Sequence, residues 1–586
     1  MNIVQDKRVH RADICVVGGG LAGLSAALSA ARHGARVVLM QDRPMLGGNA
    51  SSEIRMWVRG AHGLENRETG IIQELELENI YRNPTMNYTL WDSVLYQAAI
   101  AQDGLELLLN CSCLGCDMED GRIASVTGWQ LNSYTYHQVW ADIFLDCSGD
   151  SILASLSGAP YRVGRESREE FGESAAPPQA DRHTMGSSCL IQARKTDHPC
   201  AFIPPDWAYR YPDDQSMYLK NHDVPGTGVN FWWIEVGGEQ DTIRDAQSIQ
   251  GELLKIAYGV WDHIKNRGDH GMENWELEWI GFLPGKRESR RYEGAYMLTQ
   301  NDLEQGRRFE DAVAFGGWTM DNHSPRGFYF SGYSSRHIAP KTPYQIPFRC
   351  LYSRHVPNLM FAGRNISATH MAMSSTRVMA TCAVMGQAAG AGAALAVKWG
   401  CLPQDMTGDR MRRLQQALLE DGCFIPGLTR QDTGQVRPRL NGQELAVLQD
   451  GWERPYGGLE HAVTLPEGGS LTVELRSPQK ALRLALDPDF SRESISSVER
   501  YRRFAMRAHV EWPQEEVHMP AHLLRGCTVV AVDGHGKQAV CCRIQDNRLP
   551  RLGIPLPPDT RLVHLRELTS WGGQSVRLFS CDAARF

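Results

Sequence analysis

Apolar and polar positions follow different periods along this chain, and each period marks a different part of it. Residues 12–19, ADICVVGG, form a continuous apolar run of the kind a central parallel strand buries on both faces. LAGLSAALSAARHG then places small apolar residues at helical spacing and stops at Gly34, and ARVVLMQ reads as the next strand. Strand, helix and strand in that order form the βαβ unit that opens a doubly wound sheet. A further buried strand is expected in ADIFLDCSGD, residues 141–150, and another in NLMFAG, residues 358–363.

Between these strands the pattern changes. From about residue 155 to 345 the chain is rich in Trp, Tyr, Pro and Arg, and one amphipathic helix is predicted from Ile243, Ala246, Ile249, Leu253, Ala257, Val260 and Ile264. Residues 379–400, MATCAVMGQAAGAGAALAVKWG, are long enough to span a membrane. They are mostly Ala and Gly and carry Gln387 and Lys398, so a packed internal helix is expected instead. Beyond residue 430, short alternating runs such as SLTVELRS, ALRLALD and TRLVHLREL, broken by Gly, Pro and Asp, predict a β-rich domain. The expected boundaries are 1–154 for a nucleotide-binding part, 155–345 for an inserted substrate domain, 346–400 for the returning part, 401–430 for a linker helix and 431–586 for the β-rich domain.

Gly18, Gly20 and Gly23 in VVGGGLAG give the chain its first chemistry. They follow a predicted strand and open a predicted helix, which is the context a dinucleotide site requires. Gly18 permits the tight turn, Gly20 lets the backbone approach a pyrophosphate, and Gly23 allows close helix packing. Leu21, Ala22 and Gly23 then offer unpaired N–H groups at the positive end of the helix. At the end of the second strand, where an acidic residue usually reads the ribose hydroxyls, stand Gln41, Asp42 and Arg43. Either Gln41 or Asp42 suits that contact.

Composition narrows the class. A chain of 586 residues exceeds one hydrophobic core, and 42% hydrophobic with 22% charged residues is ordinary for a globular protein. The formal charge of -7 argues against a nucleic-acid partner. The N-terminal stretch lacks the apolar core of a secretory signal, so a cytoplasmic location is expected, with no membrane partner. Fifteen cysteines without framework spacing read as free thiols. Cys111, Cys113 and Cys116 sit in two strands around an Asp-Gly turn with no fourth ligand nearby, and no metal site is expected.

Three stretches together resemble the FAD-dependent oxidoreductase family of the glutathione-reductase-like flavoprotein superfamily. They are DICVVGGGLAGLSAALSAARHGARVVLMQDRPMLGGNASSE, LDCSGD, and NLMFAGRNISATHMAMSSTRVMATCAVMGQAAG. The likeness runs discontinuously from residue 10 to about 400 and leaves out the C-terminal domain. It implies an α/β fold: a Rossmann-type FAD-binding domain interrupted by an α+β substrate domain and followed by a β-rich domain. It implies FAD, held non-covalently. Gly47, Gly48, Asn49 and Ser51 would line a loop under the flavin, Asp150 would lie near the phosphates or adenosine, and Gly363, Arg364 and Asn365 would approach the ribityl chain. Many relatives carry Asp where Arg364 stands here. Were the flavin covalently attached, His62 in RGAHG would be the first candidate.

Only one dinucleotide fingerprint is present, and no redox cysteine pair is expected beside the flavin. Electrons therefore pass to or from a substrate bound at the flavin, or an external carrier. The charged run PGKRESRRYEG reads either as a solvated face or as a site, with Arg287, Glu288 and Arg290 its members at the substrate side. Removing hydride from an alcohol carbon also needs a base, and His is poised for it near neutral pH. His370 lies where the resemblance places the flavin face and Tyr344 is a second candidate; His62, His263, His323 and His337 are weaker ones. The expected activity is hydride exchange between flavin N5 and a carbon of a small polar metabolite. A sugar or polyol comes first because FWWIEVGG, Trp261, Trp275, Trp279 and Trp318 offer stacking surfaces, although most are expected in the core. A reductase of a keto or unsaturated compound with an external donor, and a non-catalytic flavin-containing carbohydrate-binding protein, are the alternatives. A homo-oligomer is compatible with either.

Overall fold

In a computed structural model, residues 6–63, 66–222, 231–488 and 517–584 are described. The first five residues of the N-terminal stretch and residues 489–516 of the expected β-rich domain lie outside them. The chain forms two compact units. Among the described residues, those from 6 to 61 and from 85 to 414 make the first, and those from 62 to 84, from 415 to 488 and from 517 to 584 the second.

The first unit is organised by a five-stranded parallel sheet. Its strands are β1 (Ile14–Val17), β2 (Val37–Met40), β3 (Leu105–Leu108), β4 (Ile143–Asp146) and β5 (Leu359–Phe361), in the order β5-β4-β1-β2-β3. The apolar runs read from the sequence sit here because both faces of such a sheet are covered, and all four residues of β1, β2 and β4 are buried. Helix α1 (Leu21–Arg32) follows β1. The expected hairpin is present as Cys111–Glu119 and Arg122–Gln130, joined at Asp120 and Gly121 and extended by Thr135–Trp140 and Asp6–Arg11. All fifteen cysteines are free, and burial pushes the Cys111 thiol up to about 12 and that of Cys116 to about 11.

The segment between β4 and β5 builds a hydrophobic core of its own. Helix α2 (Ala246–Asn266) buries Ile249, Leu253, Ala257, Val260, Trp261 and Ile264 in one cluster with Phe231, Trp233, Trp275 and Phe328. The helix begins three residues later than Ile243, whose N–H instead donates to Asp241. Trp233, Trp261 and Trp275 are thus core residues, which removes them as sugar-stacking surfaces.

After β5 come the short helix α3 (His370–Thr376) and the long helix α4 (Met379–Lys398). By length and composition α4 is apolar enough to cross a membrane, yet nearly all of it is buried inside the first unit. It packs closely on α1 because a side chain at Gly386 or Gly390 would overlap the carbonyl oxygens of Ala22 and Ala26.

The second unit is rich in β-structure. A six-stranded sheet contains Leu471–Leu475, Leu524–Asp533 and Thr560–Ser570, and a four-stranded sheet contains Val463–Pro466, Ser575–Ala583, Ala481–Leu486 and Arg551–Pro555. Residues 62–84 belong to this unit and carry the helix Ile71–Arg82.

Candidate functional site

The glycine loop joins β1 to α1. Gly18 has φ +101°, and a Cβ there would stand 2.5 Å from the backbone of Cys147 and Ser148 at the end of β4. A Cβ on Gly23 would overlap the Gly18 carbonyl oxygen, whereas one on Gly20 would meet nothing closer than Gly48 Cα at 3.9 Å. The loop is therefore packed shut on its inner side and open above Gly20. Gly20 is also the N-cap of α1 and supplies no side chain, so the first N–H groups of Leu21, Ala22 and Gly23 carry no side-chain cap.

A second loop lies against the first. Gly47 N–H donates to Gly19 O at 2.8 Å, and Gly20 and Gly47 pair as a parallel bridge. Ser51 is fully buried and its hydroxyl donates to Gly48 O, which orders this loop internally. Gln41 does the same for the glycine loop: its Oε1 accepts from Gly19 N at 2.7 Å and its Nε2 donates to Met45 O at 2.9 Å. Each end of its amide thus makes one bond inside the protein, which fixes the direction of the Gln41 side chain. Asp42 is exposed and lies 3.7 Å from Arg43, which approaches Glu53 at the same distance.

Asp150 is the hub of the next group. Its carboxylate lies 2.6 Å from Lys286 Nζ, 2.6 Å from Arg364 Nη2 and 2.7 Å from Ser289 Oγ. Burial alone would raise this carboxyl, but the Arg364 and Lys286 charges outweigh it and hold it well below the usual carboxylate range. The Arg364 guanidinium also covers Gly149 and donates to Lys286 O, which accepts from Asn49 Nδ2 at 3.1 Å as well. Two buried polar atoms here have no hydrogen-bond partner, Arg364 Nε and Asn365 Oδ1. Gly363, at φ +114°, lies between Ala22 of α1 and that Asn365 oxygen. Asp146, not singled out from the sequence, braces the turn beneath by accepting from Ser148, Leu153 and Tyr292.

The run Lys286–Arg291 continues into a buried acid-base cluster. Glu288 Oε2 lies 2.9 Å from His370 Nδ1 at the start of α3, and His370 Nε2 meets Asn322 Oδ1 at 2.9 Å. The His370 N–H donates to Glu166, which also binds Arg291 at 2.9 Å. Arg287 turns toward a different set. It lies 3.3 Å from Glu235, Glu235 accepts from His323 Nδ1 at 2.7 Å, and His323 Nε2 faces Asp321, which Arg377 holds at 3.3 Å. Burial acts to raise the carboxyls of Glu235 and Asp321, and their cationic neighbours outweigh it and lower both.

Several candidates fall elsewhere. Arg290 lies over the Tyr161 ring and donates to Ser155 Oγ near the surface, and its neighbour Arg291, not among the expected site residues, is the one buried in the cluster. The reason is that successive side chains of this extended run point to different sides. Tyr344 is in the core, its hydroxyl 2.6 Å from Ser375 Oγ, which donates in turn to Trp318 O. His62 belongs to the second unit. His337 is on the exposed side of the strand Ser335–Ile338, beside Thr319 and Ser335. Glu166, Glu235, Asp321, Asn322 and Arg377 are the cluster members that sequence reasoning missed, since each lies far along the chain from the charged run.

The profile of the family described as FAD dependent oxidoreductase matches residues 13–418. Glycerol-3-phosphate dehydrogenase of Mycobacterium leprae (strain TN) and glycerol-3-phosphate dehydrogenase 2 of Mycobacterium tuberculosis (strain ATCC 25618 / H37Rv) are each 37% identical over 62 residues, 11% of this chain and 11% of theirs. The chain thus spans about a tenth of the length of the curated relatives it matches. Among solved structures, a geranylgeranyl bacteriochlorophyll reductase-like protein from Thermoplasma acidophilum shares 13% identity over 71% of this chain and 86% of its own, with a TM-score of 0.29. The glycerol-3-phosphate dehydrogenase from Bacillus halodurans complexed with FAD shares 12% over 33% and 43%, with a TM-score of 0.20.

Proposed function

Because this chain belongs to the FAD dependent oxidoreductase family, and is an FAD-dependent oxidoreductase, we propose that its substrate is a small polar metabolite, of sugar or polyol type, whose carbon exchanges hydride with the flavin. The residues present fit the cofactor. A Cβ would fill the cradle above Gly20, the α1 N terminus has uncapped N–H groups, and Arg364 Nε and Asn365 Oδ1 are buried without partners. Gly18, Gly20, Leu21, Ala22 and Gly23 would hold the pyrophosphate, Asp42 and Arg43 the ribose, and Gly48, Asn49, Gly363, Arg364 and Asn365 the flavin end. Bound there, FAD supplies a two-electron acceptor or donor.

The observation that carries the reading is the double reach of one short run. Lys286 and Ser289 bind Asp150 on the cofactor side, while Glu288 between them binds His370. An alcohol that loses hydride must also lose its hydroxyl proton, and a ketone that gains hydride must gain one. Glu288 holds Nδ1 of His370, so Nε2, which lies beside Asn322 Oδ1, is the ring atom left to exchange that proton with a substrate hydroxyl. Asp321 and Arg377 offer an acceptor and a donor to further hydroxyls. The short likeness to glycerol-3-phosphate dehydrogenases agrees with a polyol class. Electrons leave or arrive through an external carrier, and the cytoplasm is the compartment we assign.

Anaerobic titration of the purified protein with polyols, sugars and polyol phosphates tests this. Bleaching of the flavin's visible band by one of them supports the reading. A reduced flavin reoxidised only by keto or unsaturated compounds would replace it with the reductase alternative, and a flavin unaffected by either would reject a catalytic role for these compounds.

A further inference from the structure

Asp214, His222, His263 and His270, all in the insertion and all outside the residues assigned above, place their ligand atoms within 4.8 Å of one another. The three imidazole rings meet edge-on or tilted, with centroids 4.8–5.2 Å apart. Hydrogen bonding fixes which nitrogen points inward on two of them. His263 Nδ1 lies 2.7 Å from the Tyr211 carbonyl oxygen and His222 Nδ1 lies 2.7 Å from that of Lys220. A carbonyl only accepts, so each Nδ1 bears its proton and donates it. The two Nε2 atoms then face a single oxygen, Asp214 Oδ1, at 3.3 and 3.8 Å.

In neutral rings those are two lone pairs directed at a carboxylate, an arrangement that needs positive charge between them. Arg267 supplies part of it, donating to Asp214 Oδ1 at 2.6 Å and reaching His263 Nε2 at 3.4 Å. It leaves His270, whose Nε2 is buried without a hydrogen bond, with Asp269 Oδ1 3.3 Å away. Lys220, two residues before His222, turns its ammonium to Phe330 O and Ser334 Oγ.

We propose that these four side chains bind a divalent transition-metal ion of the zinc class. Three imidazole nitrogens and one carboxylate oxygen make the four-ligand set that zinc takes tetrahedrally, whereas calcium and magnesium prefer oxygen. The Nδ1–H donation to backbone carbonyls is the outer arrangement that orients metal-bound histidines. With all four positions supplied by protein the site is structural. It ties the stretch holding Asp214 and His222 to the last turn of α2, which carries His263, and to the loop holding His270. Asp214 is half exposed, which gives the ion a route in. The four ligands are spread along the chain, and so no metal-ligand spacing is visible in the sequence.

The test uses untagged full-length protein. Metal content is measured as purified, and the chelator-dialysed protein is then titrated with Zn2+ and with Co2+. The expected result is one ion per chain, a tetrahedral Co2+ absorption band beyond the flavin band, and a melting temperature that falls on chelation. His222→Gln/His270→Gln should keep its flavin but bind Zn2+ more weakly by more than the ~10–100-fold that loss of an outer partner costs. Should that variant lose its flavin, Asp214→Asn, altered at the half-exposed ligand, takes its place. A wild-type protein that takes up no stoichiometric zinc, or a folded variant that binds zinc as tightly as wild type, overturns the proposal.

Discussion

His370 Nδ1 lies 2.9 Å from Glu288 Oε2, so a residue of the insertion fixes the imidazole at the start of α3. Replacing Glu288 by Gln keeps the shape and removes the charge that orients the ring and supports proton transfer. Glu288→Gln and His370→Gln should each slow flavin reduction by about 10²–10⁴-fold, the usual range for losing general acid-base catalysis, with flavin content unchanged. Because the two act as one unit, the double variant should be little slower than either single one. Stopped-flow reduction by the identified substrate is the measurement, and rates within a few-fold of wild type would remove this pair from the mechanism.

Gly20 and Gly23 make opposite demands. The space above Gly20 is open, while a Cβ on Gly23 would overlap the Gly18 carbonyl oxygen. Gly20→Val should therefore fold and bind no flavin, because its side chain fills the path of the pyrophosphate. Gly23→Ala should lose stability by about 1–3 kcal/mol through overpacking, and its flavin with it. Thermal melts of apoprotein and flavin content after gel filtration separate the two effects. Full flavin in Gly20→Val would mean the pyrophosphate lies elsewhere.

The contrast between Gly20 and Gln41 shows what the sequence can carry. Gly18, Gly20 and Gly23 are legible because strand, turn and helix are local, and the alternation of Leu471, Val473 and Leu475 marks a half-buried strand for the same reason. Gln41 stands at a position read by spacing, but its side-chain direction is set by Gly19 N–H and Met45 O, which no spacing encodes. Arg290 and Arg291 are adjacent in the same charged run, and only the fold sends one to Tyr161 and the other to Glu166. Glu235, Asp321 and Arg377 join Arg287 from distant segments, so the charged run is visible in sequence while its partners are not.

Acid should expose the Arg287–Glu235–His323 network. The Glu235 carboxyl is lowered in the fold, since Arg287 and His323 outweigh burial. A lowered carboxyl contributes stability that is complete above its unfolded value of about 4.3 and is lost as pH falls through the folded value. Glu235→Gln leaves Arg287 buried beside a neutral partner and should cost about 3–5 kcal/mol near neutral pH. That deficit should shrink below about pH 4, where the unfolded wild-type chain takes up the proton that the folded Glu235 resists. Taking the difference between the two proteins cancels the raised carboxyls of Asp146 and Glu173, whose effect runs the other way. A deficit that stays constant from pH 7 to about pH 3 would contradict a charged Glu235.

Flavin binding should also depend on residues that never approach the cofactor. Gly386 and Gly390 of α4 lie against the carbonyl oxygens of Ala22 and Ala26, and Ala22 is in the first turn of α1, whose N–H groups face the open side of the glycine loop. A methyl group at Gly386 cannot be absorbed by a rotamer change, because the atom it meets is backbone. The helices must separate or α1 must shift, and overpacking of this kind costs about 1–3 kcal/mol. Gly386→Ala should therefore lower the melting temperature and weaken flavin retention together. Gly390→Ala, one turn further from the N terminus of α1, should lower stability by a similar amount while keeping more of the flavin. Equal flavin loss in both variants would show that general destabilisation, rather than displacement of the α1 N terminus, releases the cofactor.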